Sequence, residues 1–197
     1  MKRLFMLCGC MSLYSLSAHA TTTYTWSGSS GSSMTNAGNW TGAVAPVDSQ
    51  STVIVFPGSS SNYTPTNDLG ANFQFDTITF GAGTAYTLNG DSLLISGAFG
   101  GVINFNTTGS AIESTINIAS PSSALNVYST TGGSAIGDIN GGGLSGSGVL
   151  NVLSGLLNVG GTSTFNGSIN ITSGSAANTT LQATAANSLG STAWVPL

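Results

Sequence analysis

Apolar residues recur along this chain in short bursts of three to five, each closed off by Gly, Asn or Ser. The first are Val53-Ile54-Val55-Phe56, Ile78-Thr79-Phe80, Tyr86-Thr87-Leu88 and Leu93-Leu94-Ile95. No window sustains a 3.6-residue apolar period over ten residues, and β-branched residues fill the bursts, so the pattern predicts strands joined by turns. From residue 101 a three-residue unit recurs: Ile103-Asn104-Phe105, Ile116-Asn117-Ile118, Leu125-Asn126-Val127, Leu150-Asn151-Val152, Leu157-Asn158-Val159 and Ile169-Asn170-Ile171. Side chains alternate across a strand, so each unit offers two apolar groups to one face and an amide to the other. Units that cannot bury an apolar face alone bury it against their neighbours, and six copies therefore predict stacking.

The copies are 7 to 25 residues apart, which excludes a fixed-length array and suits a right-handed parallel β-helix whose turns vary in length. At roughly 20–25 residues per coil and about 4.8 Å between coils, about seven coils are expected. The asparagines read as solvent-facing positions, with stacked amide ladders as the alternative. A β-sandwich is the competing fold. It needs antiparallel hairpins, whose strongest signal, Asn-Gly, occurs only at Asn89-Gly90, Asn140-Gly141 and Asn166-Gly167. Trp26, Trp40 and Tyr63 read as an aromatic cap on the first coil, and otherwise as a platform facing carbohydrate.

Composition sharpens this picture. The two cationic side chains, Lys2 and Arg3, precede an apolar run from Leu4 to Leu16 and the small-x-small site Ala18-His19-Ala20. This predicts a signal peptide over 1–20, cleaved after Ala20; Cys8 and Cys10 lie inside it, and Leu7-Cys8-Gly9-Cys10 only loosely resembles a lipoprotein box. Beyond residue 20 there is no Lys, Arg, His or Cys, and the ionisable carboxylates are Asp48, Asp68, Asp76, Asp91, Glu113 and Asp138. A protein without cations has no side chain to neutralise phosphates, so no nucleic-acid partner is expected. Stability has to come from packing and backbone pairing, without disulfides. The 28 glycines sit in a sequence that is 40% hydrophobic and 4% charged, a balance that argues for order.

Candidate chemistry is sparse. Gly90-Asp91-Ser92-Leu93 matches the nucleophile block of GDSL esterases, but such a serine needs a base to take its proton, and no histidine or lysine follows residue 20; the string reads as a turn followed by a strand. Asp68, Asp76 and Asp91 are the candidates for a hydrolytic carboxylate pair and read more simply as turn or strand-edge residues. Asp138-Ile139-Asn140, among glycines 132–143, offers oxygens that calcium would accept and reads as a plain long loop. No residue is assigned a catalytic, cofactor-binding or metal-binding role.

The stretch from Leu144 onward, with Gly146-Ser147-Gly148 opening a strand, Phe165-Asn166-Gly167 at a turn, Ile169-Asn170-Ile171 as the next strand and Asn187-Ser188-Leu189-Gly190 closing the unit, resembles the passenger-associated strand repeat of bacterial autotransporters. The earlier landmarks Trp26, Asn39-Trp40, Pro46, Asn67-Asp68-Leu69 and Tyr86-Thr87-Leu88-Asn89-Gly90 are similar to the start of such passengers. The resemblance implies a non-enzymatic surface-exposed or secreted β-helical stalk with adhesin-like loops, exported through a C-terminal β-barrel, whose partners would be host or neighbouring-cell surface molecules or glycans. The alternative is a β-helical polysaccharide-active enzyme or carbohydrate-binding module. The expected organisation is a signal peptide over 1–20, a cap with the first coils over 21–100, and repeats over 101–197 with the strand repeat at about 144–190. The sequence stops at Trp194-Val195-Pro196-Leu197 with no translocator barrel behind it, and reads as an N-terminal fragment that frays at its C-terminal end. Membrane contact would come only through that missing barrel.

Overall fold

A computed structural model describes residues 20–97, 100–129, 136–172 and 179–190. The signal-peptide reading of residues 1–19 and the C-terminal expectation at 191–197 lie outside the described residues. The protein is a β-solenoid of about five turns built from parallel sheets.

After β1 (Thr22–Thr25), three strands recur per coil. The first coil holds β2 (Thr52–Phe56), β3 (Thr66–Asn67) and β4 (Phe73–Gln74); the second holds β5 (Thr77–Phe80), β6 (Thr87–Gly90) and β7 (Leu93–Ile95). The third holds β8 (Gly101–Phe105), β9 (Ser110–Ile112) and β10 (Ile116–Ile118), and the fourth β11 (Ala124–Ser129), β12 (Ile136–Ile139) and β13 (Leu144–Gly146). Then come β14 (Val149–Val152) and β15 (Leu156–Val159), followed by β16 (Ser168–Ile171) and β17 (Thr180–Ala183). Corresponding strands pair along the axis. Face one runs β1-β2-β5-β8-β11-β14-β16, face two β3-β6-β9-β12-β15-β17 and face three β4-β7-β10-β13.

Every pairing between these strands is parallel, which removes the β-sandwich; none of the three Asn-Gly pairs closes a hairpin. The expected seven coils become about five. The coil repeat is at the long end of its range, with Val53 opposite Thr77 and Thr77 opposite Val102. The step from Thr22 to Thr52 is longer still, because the intervening residues are spent on a cap.

The interior is a set of ladders. Ile54, Ile78, Ile103, Val127, Val152 and Ile171 lie in register on face one. Beside them, Phe56, Phe80 and Phe105 stack with centroids 5.2 Å apart at each step and planes tilted by 14° and 6°. That ring stack stops at the fourth coil, where Ser129 stands opposite Phe105. On face two, Leu88, Ile112, Ile139 and Val159 are buried in register.

The aliphatic-Asn-aliphatic unit behaves as its pattern predicts, with the flanking residues buried through Val159 and the asparagines turned outward. The amides also form a ladder: Asn151 donates to Asn126 (2.8 Å) and Asn170 to Asn151 (2.9 Å). In the neighbouring row Asn104 donates to the Thr79 hydroxyl (3.2 Å). Solvent-facing and laddered are thus both true of these asparagines. The two closest copies, Leu150-Asn151-Val152 and Leu157-Asn158-Val159, are not stacked on each other. They occupy β14 on face one and β15 on face two of one coil, joined by a corner at Gly155 (φ +73°).

The segment between β1 and β2 closes the N-terminal end of the core. Trp26 and Trp40 are 1% and 3% exposed and meet edge to face at 5.1 Å. Their indole N–H groups are satisfied, Trp26 by the Asn62 carbonyl (2.9 Å) and Trp40 by the Met34 carbonyl (2.8 Å). Tyr63 packs on Tyr86 at 5.0 Å. These rings fill a cap and present no platform to a sugar. At the other end, β16 and β17 pair on one side only among the described residues, and Ile169, Ile171 and Leu181 are half-buried.

Candidate functional site: the carboxylates and the cap corner

The carboxylates fall at different corners of the coil. Asp68 follows β3 and Asp91 follows β6. Because Asn67 lies opposite Gly90, these two residues are stacked one coil apart, about 4.8 Å along the backbone. Asp76 sits at the opposite corner, leading into β5 on face one, and its carboxylate accepts from Thr77 Oγ1 (2.8 Å). The structure therefore stacks the backbone positions of two of the three candidates and places the third at a different corner.

Asp68 is committed to structure. Its carboxylate accepts from Ser33 Oγ (2.6 Å), the Thr35 N–H (2.8 Å) and Thr35 Oγ1 (3.0 Å), tying the cap loop to the first coil. Partial burial works to raise its pKa, but the hydrogen bonds from Ser33 and Thr35 outweigh it and hold the carboxyl below the ordinary carboxylate value. Asp48 similarly accepts from the Gln74 N–H (2.7 Å). Sequence reasoning did not single out Ser33, Thr35 or this use of Asp48, and nothing local marks them, since each partner lies 26 to 35 residues away.

The Gly90-Asp91-Ser92-Leu93 string is a corner. Gly90 has φ +102°, and a Cβ there would lie 2.2 Å from the Asn67 carbonyl oxygen, so glycine is required by both backbone and space. The buried Asn67 amide donates to the Asp91 carbonyl (2.9 Å), while Ser114 Oγ donates to the Gly90 carbonyl (3.1 Å). Ser92 Oγ accepts from the Asn72 N–H (2.8 Å) and donates to the Asn72 side chain (3.3 Å). This hydroxyl links two coils at a corner, with no proton acceptor of imidazole type among the described residues.

The Asp138 region corrects the sequence reading. Residues Ile136–Ile139 are strand β12 in the middle of face two, and only 132–135 of the expected loop lie outside the described residues. The glycines there provide clearance for packing, since a Cβ on Gly137 would lie 2.2 Å from the Phe105 ring. Asp138 accepts from the Asn158 amide of the next coil (2.7 Å). Among the described residues, no group of three or more His, Cys, Asp or Glu side chains is gathered in a way that would hold a metal ion.

At the C-terminal landmarks, Asn187 (φ +60°) and Gly190 (φ +69°) shape a turn in which the Gly190 N–H donates to the Asn187 carbonyl (3.1 Å). Ser163 joins this turn to the preceding coil, its N–H donating to the Asn187 carbonyl (3.1 Å) and its hydroxyl to the Ser188 carbonyl. No family model, no curated protein and no solved structure matches this sequence.

Proposed function

We propose that this protein is a non-enzymatic, exported passenger segment of autotransporter type, a β-helical stalk that carries surface loops at a distance from the cell. The observation that supports it best is the unbroken set of axial ladders: seven strands on face one, an aliphatic column inside and an amide row outside. Such a stack derives its cohesion from contacts between successive coils and gives a stiff spacer about 29 Å long from six inter-strand steps. Export through the leader at 1–20 and adhesion to surface molecules or glycans complete this reading.

The test is to place the full sequence, leader included, ahead of an outer-membrane translocator barrel and treat whole cells with protease. The stalk reading expects release of the segment from the cell surface; retention in the periplasm would sink it. A β-helical polysaccharide-active enzyme is the second reading, favoured by the stacked backbone positions of Asp68 and Asp91. It gains nothing from Asp68 itself, whose carboxylate is already saturated by the cap. Turnover of a polysaccharide that disappears in Asp91→Asn would replace the stalk reading with this one.

A further inference from the structure

Three Asn-Gly pairs stand out in the sequence, and the fold treats them differently. Asn89 lies within β6, its N–H donating to the Pro65 carbonyl (3.0 Å) and its Nδ2 to the Thr87 carbonyl (3.2 Å). Asn140 donates its N–H to the Ile112 carbonyl (3.0 Å) and is covered by the next coil, where a Cβ on Gly160 would lie 3.1 Å from Asn140 Oδ1 and one on Gly161 would lie 2.6 Å from its carbonyl oxygen. Asn166 is exposed, and its Oδ1 and Nδ2 make no hydrogen bond among the described residues. The flanking N–H groups of Asn166 and Ser168 donate to the Gly146 and Gly148 carbonyls (3.0 Å each). The intervening Gly167 N–H therefore points away from that coil and has no acceptor among the described residues.

We infer that Asn166 is a site of spontaneous backbone modification. The Gly167 nitrogen attacks Cγ of Asn166, forming a new C–N bond and closing a succinimide ring. The bond between Cγ and Nδ2 breaks, and Nδ2 leaves as ammonia carrying the proton given up by Gly167. Water then adds to either ring carbonyl and opens the ring to aspartate or isoaspartate, so one water is consumed and one ammonia released overall. Three conditions meet at this pair: a following residue without a Cβ, a free N–H to act as nucleophile, and an untethered amide. Asn89 lacks the untethered amide, and Asn140 lacks the open space.

The position makes the modification consequential. Gly167 is in close contact with the preceding coil, where a Cβ would lie 1.9 Å from the Gly148 carbonyl oxygen. Isoaspartate adds a backbone atom immediately before β16, and both products place a negative charge at the corner that feeds the Asn151–Asn170 rung. The last coil should loosen as the protein ages.

The experiment is peptide mapping by mass spectrometry of the intact folded protein, incubated at mildly alkaline pH and 37 °C, with isoaspartate distinguished by electron-based fragmentation. The expected result is conversion at Asn166 several-fold faster than at Asn89 or Asn140, together with faster amide exchange in β16 in the aged sample. Asn166→Gln should abolish the early mass shift and keep the exchange of β16 at its fresh value. Equal rates at all three pairs, or earlier conversion at Asn89 or Asn140, would overturn the assignment. The same three rates measured in denaturant provide the reference, since the selectivity should vanish there.

Discussion

In the first three coils aromatic rings stack inside, and the outward row of face one carries Thr and Val, with Val53, Thr77 and Val102 in register. In the later coils the face-one interior column is aliphatic, with Phe165 a buried ring away from it, and the outward row becomes Asn126, Asn151 and Asn170. Both halves use the same coil with a buried apolar interior, and the later one adds an amide row on the outside of the sheet. The partners on the other faces differ along the stack: Tyr86 packs beside Phe56 and Phe80, whereas Gly137 leaves room for Phe105. Ser129 ends that column, and beyond it the amide row adds hydrogen bonds between coils. Position within the rod therefore decides what a substitution costs.

The largest expected effect is at the middle of the ring stack. Phe80→Ala should cost about 3–5 kcal/mol, the range for a buried aromatic removed from a core, read as the midpoint of a denaturant transition. A cost no greater than that of Val127→Ala would erase the distinction between the halves.

Next is a corner at the boundary. Gly146 has φ +89°, and a Cβ there would lie 2.1 Å from the Ile118 carbonyl oxygen. Gly146→Ala should destabilise by more than about 1 kcal/mol. Gly31 has a similar φ of +102° and open space around it, so Gly31→Ala should cost less; equal costs would mean that backbone strain alone matters at these corners.

The amide row is tested by Asn151→Ala, which breaks both rungs and should cost about 1–3 kcal/mol. The loss should be localised by hydrogen exchange to β14 and β16. The corresponding change on the N-terminal half, Thr77→Ala, should leave exchange in β5 nearly unchanged, and similar losses at both positions would dissolve the contrast.

The smallest effect concerns the cap. Asp68 has a lowered pKa in the folded state, so its contribution is present above the ordinary carboxylate value and is lost as pH falls through the folded value, below about pH 4. In a Trp194→Phe background, acidification should shift the fluorescence of Trp26 and Trp40 before the β-sheet dichroism changes, and Asp68→Asn should remove that early step. Coincident transitions would show that the cap does not respond separately.

The strands and their buried faces were legible because a period of two is local: Ile116-Asn117-Ile118 announces two inward residues without reference to any other coil. Coil length was also written in the sequence, in the spacing of Phe56, Phe80 and Phe105, a signal that the unequally spaced asparagine units obscured. The corner inside Val149 to Val159 was not legible. A seven-residue repeat is compatible with stacking or with turning, and only the pairing of β14 with β11 and β15 with β12 decides between them. The Ser33–Asp68–Thr35 junction was equally hidden, since a hydroxyl and a carboxylate far apart in sequence carry no mutual signature until the cap folds back.

The composition has a consequence for how the rod meets its surroundings. The face-one contacts between coils are neutral: methyl against methyl, ring against ring, amide to amide. Charge is confined to a few carboxylates at corners, in the cap loops and on β12, with no cation beyond residue 20 for any of them to pair with. Salt weakens attractions between opposite charges, and here it finds almost none to weaken; its screening relieves the mutual repulsion of the acids, and salting-out ions strengthen the apolar burial. The same rod should stand in dilute water and in brine, its length indifferent to the ionic medium around it.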